Sequence, residues 1–196
     1  MPYSSNQKRK KILTEGKALF WKYGFKRITV EEICTAAHVS KMTFYKFFAN
    51  KMELIKVILE EISKESIRGY REIMDADIPF TEKITRQLEM KMKGTAEMST
   101  EFMNDLILHA ESDIHEIYAK IAEDTLKMVH ADYLKAQQEG DIRPDIKPEF
   151  IIYFLNHLFE MFKDKNLSNL YESPNEMTME LLNFFFYGVA NRDNKK

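Results

Sequence analysis

Between Thr29 and Lys51 the chain reads TVEEICTAAHVSKMTFYKFFANK, and no other stretch limits its fold so narrowly. Thr29 with Glu32 three residues on is a capping box, so a short helix starts near Val30 and turns Ile33, Ala36 and Ala37 inward. Ala37-His38-Val39-Ser40 breaks that spacing, and Ser40 is a second N-cap, opening a helix through Phe48. At about 100° per residue, Phe44 and Phe48 share one face while Lys41, Met42, Tyr45 and Lys46 spread over the other side. Two short helices at a tight turn, the second presenting an exposed basic arc, have the layout of a helix-turn-helix reader. An ordinary helical hairpin with a solvated face has the same spacing.

Charge separates the two readings. Residues 1–51 hold 11 Lys and Arg against 3 Asp and Glu, a local +8, whereas the remainder holds 18 against 28, a local −10. A basic end on an acidic body is the footprint of a polyanion that meets the chain at one end only. Lys8, Arg9, Lys10 and Lys11 lie in the first turns of a helix expected over 5–23, whose stripe of Ile12, Gly16, Leu19, Phe20 and Tyr23 faces inward. Gly24 ends that helix.

Downstream the chain stays helical. With 44% hydrophobic residues, only 6 Gly and 5 Pro, and no strand-like run bounded by turn dipeptides, all-α is the expected class. Asn50 and Glu53 cap a long helix over 51–74, the mechanical link between a DNA-binding domain at 1–51 and a body at 52–196. Further helices are expected from Pro79 to about Lys93, at 100–109, and at 113–138 with Leu126, Tyr133 and Leu134 among its inner residues. Pro148 and Pro174 stand at the first positions of two more helices, reaching about Phe162 and Val189. Seven of the 14 phenylalanines fall in these two, which are apolar nearly all the way round. A second subunit is the expected cover, meeting Phe150, Phe154, Asn156, His157, Leu158, Met161, Leu181, Phe184, Phe185 and Val189.

Enzyme chemistry has no foothold. No nucleophile, base and orienter, phosphate loop or metal cluster shows a recognisable spacing, so neither a catalytic residue, a metal nor a cofactor is expected. The single cysteine, Cys34, excludes an internal disulfide framework and reads as a buried structural thiol. No stretch is long and apolar enough for a membrane span and no apolar segment follows the basic N-terminal cluster, so a cytoplasmic location is expected.

From Ile12 to Leu54 the chain resembles the DNA-binding head of the tetracycline-repressor (TetR) family of bacterial regulators. The resemblance rests on LF followed by GF, then T-V-x-E-I, A-x-V-S-K, T-F-Y and F-x-N-K-x-x-L; GDIRPDIKPEF at 140–150 is similar to a turn of the same family. His38 stands where the family usually has Gly, Met42 where it often has a small residue, and Phe47 where it often has His or Tyr. The resemblance implies DNA contacts by Thr29, Ser40, Lys41, Met42, Thr43, Tyr45, Lys46 and Lys51, with Lys41, Met42 and Tyr45 reading bases. It implies a small, mainly apolar effector within the body, near Phe102, Met103, Leu106, Ile107, His109, Tyr118 and Ile121. The expected protein is thus a homodimeric repressor on a palindromic operator in double-stranded DNA. The alternatives are an activator, a regulator without a small-molecule effector, or a helical adaptor for other proteins.

Overall fold

The computed structural model describes residues 4–107, 113–161, 164–172 and 174–189. Among these residues ten helices follow one another: α1 (Ser5–Tyr23), α2 (Val30–Ala37), α3 (Lys41–Phe47), α4 (Lys51–Met74), α5 (Phe80–Thr95), α6 (Thr100–Ile107), α7 (Asp113–Gln138), α8 (Pro148–Met161), α9 (Lys165–Ser168) and α10 (Pro174–Val189). The fold is all-α, with an N-terminal helix-turn-helix. The four-residue α9 has no apolar periodicity to announce it; its start is set by Asp164, whose carboxylate accepts from the Asn166 and Leu167 amides.

The chain packs as two compact units, residues 1–68 with 95–123, and 69–94 with 124–196. This division differs from a boundary at residue 51. In the first unit Ile12, Phe20, Ile33, Phe44, Leu54 and Ile55 are buried together, and Phe102, Leu106 and Ile114 complete the same core. Trp21 lies 4.2 Å from Phe102 between ring centroids, and Phe25 meets that ring edge-on at 6.2 Å. The apolar rings of α1 and of the turn after it thus need α6 as cover. Gly16 gives α1 its close approach: a Cβ there would lie 2.9 Å from a Leu54 methyl.

In the second unit Ile84, Leu88, Tyr133, Ile151, Leu158, Leu181 and Phe185 share one core, with Phe154 stacked on Phe185 at 5.9 Å. Asp132 ties the end of α4 to α7, accepting from the Tyr70 hydroxyl and the Arg71 guanidinium, both at 2.9 Å. Burial is the main reason the Tyr70 hydroxyl is pushed far above its ordinary pKa. The expected inner stripe of α7 is corrected here: Tyr133 and Ala136 are buried, but Leu126 and Leu134 are exposed. Ile114 belongs to one core and Tyr133 to another, so α7 does not bury a single straight stripe.

Candidate nucleic-acid interface

The start of α2 is built as the sequence implies. The Thr29 amide donates to Glu32 Oε2 at 2.7 Å, the Thr29 hydroxyl to the same oxygen at 2.8 Å, and the Glu32 amide to Thr29 Oγ1 at 3.2 Å. The Thr29 amide, then its hydroxyl, holds the Glu32 carboxyl below its ordinary pKa. At the other end of α2, His38 takes φ 53° and ψ 46°. The Val39 amide reaches Cys34 O at 3.0 Å and the His38 amide reaches Thr35 O at 3.2 Å, closing a Schellman turn. This sharp left-handed turn aims α3. Cys34 is buried, which pushes its thiol pKa up.

The Ser40 hydroxyl caps α3 by accepting the Thr43 amide at 3.1 Å, and the two hydroxyls lie 3.0 Å apart. Phe44 is wholly buried, with Phe48 beside it at 5.7 Å. Rotated away from that anchor, Met42 is 82% and Tyr45 54% exposed, and Lys41 and Lys46 are exposed with them. The expected reading residues therefore share one solvent-facing arc. An unsupported seven-residue helix would be marginal; its Phe44 face supplies the stability.

Two lysines of the expected set are engaged within the chain. Lys41 Nζ donates to Glu31 Oε2 at 3.0 Å, which raises its pKa. Lys51 Nζ donates to Lys26 O at 2.9 Å and Ile28 O at 2.7 Å, and its burial lowers its pKa. Lys51 thus pins the loop leading into α2 to the start of α4, rather than standing as an open charge. Asp105 of α6 accepts the Lys26 amide at 2.9 Å, and the Ser99 amide donates to Trp21 O at 2.8 Å. Neither Glu31, Asp105 nor the use made of Lys51 has a local sequence signal. Of the N-terminal basic run, Arg9 lies over the Phe48 ring at 5.6 Å and 3.7 Å from Glu61.

Four of the expected effector residues lie among the described side chains. Phe102 and Leu106 are core residues of the first unit and Tyr118 packs against that core, while Ile121 is half-buried. His109 and the side chains of Met103 and Ile107 lie outside the described residues. A cleft of about 500 Å³ occurs in the second unit, between α7 and α8, lined by Leu126, Lys127, His130, Glu149, Ile152, Tyr153 and Asn156. His130 Nε2 and Glu149 Oε1 are 2.8 Å apart across it. Among the described residues no group of three or more His, Cys, Asp or Glu is placed to hold a metal, and no helix is long and apolar enough to cross a membrane.

The expected dimer residues divide. Leu158, Leu181, Phe185 and Val189 are buried in their own unit, so those four are core, and α8 and α10 are each covered on one side. Phe150, Met161 and Phe184 remain exposed, as do Asn156 and His157, with Phe154 half-buried. Tyr153, Met179 and Tyr187 of the same two helices are exposed as well. Tyr187 is 79% and Phe184 73% exposed, an unusual state for aromatics at full helical register.

Residues 12–58 match the sequence profile of the tetR family of bacterial regulatory proteins. A Bacillus subtilis (strain 168) protein, the uncharacterized HTH-type transcriptional regulator YhgD, is 25% identical over 157 residues, covering 79% of this chain and 82% of that one. The fold matches the regulatory protein TetR from Rhodobacter sphaeroides at TM-score 0.71 and 16% identity, covering 93% of this chain and 98% of that one. It also matches a candidate transcriptional regulator from Saccharomonospora viridis, solved in complex with choline, at TM-score 0.76 and 15% identity, covering 96% of this chain and 100% of that one.

Proposed function

We propose that this chain, whose residues 12–58 match the tetR family profile, is a DNA-binding transcriptional regulator of that kind, and that it acts as a homodimeric repressor released from a palindromic operator by a small, mainly apolar molecule. One observation carries the reading: the buried Phe44 face of α3 holds Lys41, Met42, Tyr45 and Lys46 outward on a capped, rigidly turned helix. That arc fits a major groove, where Lys41 at the helix start meets guanine edges and Met42 the thymine methyl. Thr29, Ser40, Thr43 and the N-terminal lysines serve phosphates. Lys51 supports this contact indirectly, through the loop it pins.

The exposed aromatics of α8 and α10 support self-association, with a second copy covering them. A two-fold dimer then sets its reading heads about one helical turn, 34–36 Å, or a multiple of it apart, and selects a near-palindrome. For the effector, the α7–α8 cleft has the size and apolar lining of a small-molecule site. A choline complex of a protein of the same fold is in keeping with such a site. Release requires the ligand to prefer the conformer that holds the heads off register, because equal affinity for both shifts nothing.

The test is selection of genomic fragments by the purified protein, followed by titration of the recovered duplex against salt. A recovered near-palindrome whose binding weakens steeply with salt supports the reading; failure to retain any duplex at low salt overturns it. For the effector, a molecule bound with the same affinity with and without saturating operator defeats the release mechanism, since coupling is reciprocal.

A further inference from the structure

We infer that Glu31 is a specificity-determining residue of the reading head, one that cancels the charge of Lys41 until Lys41 meets the right base; the inference rests on the DNA-binding reading of α3. Glu31 stands on α2 and Lys41 opens α3, and Lys41 Nζ is 3.0 Å from Glu31 Oε2, both side chains being exposed. The Glu31 carboxylate takes no part in the cap of α2 and stands in its first turn, where Gln keeps the shape and loses only a small helix-dipole contribution. Glu32, not Glu31, closes the capping box with Thr29, and the bond that Glu31 accepts from the Thr35 hydroxyl, at 2.9 Å, goes to its backbone carbonyl rather than its carboxylate. What the Glu31 carboxylate does is meet the lysine at the head of the reading arc.

The consequence follows from how DNA attracts protein charge. Each cation that neutralises a phosphate tightens binding to every sequence alike and steepens the dependence of log affinity on log salt by about 0.9. A lysine closed onto a carboxylate contributes little of this, so Lys41 is withheld from indiscriminate phosphate binding. An ammonium has three donors, and Glu31 leaves Lys41 free to extend toward guanine O6 and N7 where they are in reach. An exposed ion pair is weak, so exchange of partners at a guanine is easy, whereas at another base the pair stays closed beside a polyanion. Discrimination arises here by suppressing the wrong complexes as well as by favouring the right one.

The experiment uses the full chain with two probes, a duplex it selects from a random pool and a scrambled duplex of equal length, titrated over a range of salt. Glu31→Gln should bind the scrambled duplex roughly eightfold tighter per engaged reading head at 0.1 M salt, with a slope steeper by about 0.9 per head and a smaller ratio of selected to scrambled affinity. Lys41→Gln alone should lose affinity for the selected duplex while keeping the wild-type slope on the scrambled one. The double variant should return to the wild-type slope. A Glu31→Gln protein with unchanged slope and ratio overturns the inference, as does a double variant that keeps the steeper slope, because Glu31 would then act by general repulsion. Lys41→Gln flattening the scrambled slope by about 0.9 overturns it too. A wild-type protein that binds neither duplex at low salt overturns the DNA-binding reading itself, a result distinct from the others.

Discussion

His38 holds the only positive φ of a non-glycine residue among the described residues, at the turn that aims α3. Left-handed backbone costs an L-residue about 1–2 kcal/mol and glycine nearly nothing, although glycine gives part of that back through its freer unfolded chain. His38→Gly should therefore stabilise the protein by roughly 0.5–1 kcal/mol, measured by denaturant midpoint at unchanged m. Glu32 sets a pH dependence of known sign. Its carboxyl pKa is lowered in the fold by the Thr29 amide, so its contribution is full above the unfolded value near 4.5 and is lost as pH falls through the lower folded value. Glu32→Gln should weaken the protein at neutral pH and flatten its stability curve below about pH 4.5, and an unchanged acid limb in urea titrations would contradict this.

Among the elements, α4 and α7 span the residues that capping and periodicity indicate, because long helices carry several turns of pattern and strong ends. The anchored face of α3 was equally legible, since Phe44, Phe48 and the Ser40 cap lie within nine residues. What stayed illegible is long-range. Asp105 and Lys26 are 79 residues apart, and the Lys51 ammonium finds carbonyls 25 and 23 residues back, pairings with no local period. The packing of α6 is long-range in the same way: Phe102 and Leu106, which the resemblance implies lie near an effector, join the core that holds Trp21 and Phe25, about 80 residues back. Phe102→Ala should cost about 3–5 kcal/mol, the range for emptying a buried Phe site. Thermal melts should show the loss, and duplex binding should fall with it although residue 102 has no place on the reading arc.

For the whole molecule, the proposed dimer rests on the exposed apolar side chains of α8 and α10. Phe184→Asp with Tyr187→Asp changes two side chains that are 73% and 79% exposed, so the single-chain fold should be kept while the dimer is lost. Sedimentation at micromolar concentration should then give a monomer and operator affinity should collapse; a variant that remains dimeric would place the interface elsewhere. A separate consequence follows from the first unit being assembled from two separated stretches, 1–68 and 95–123. During synthesis the helix-turn-helix leaves the ribosome first, but Phe102 and Leu106 must still be translated before the rings at Trp21 and Phe25 are covered. At about 5–20 residues per second, several seconds pass in which the nascent head shows its apolar rings to the cell. A polysome carrying only the first half of the chain should thus display a chaperone-binding surface and no operator-binding one, so the regulator cannot engage its target before the second stretch of the head has been made.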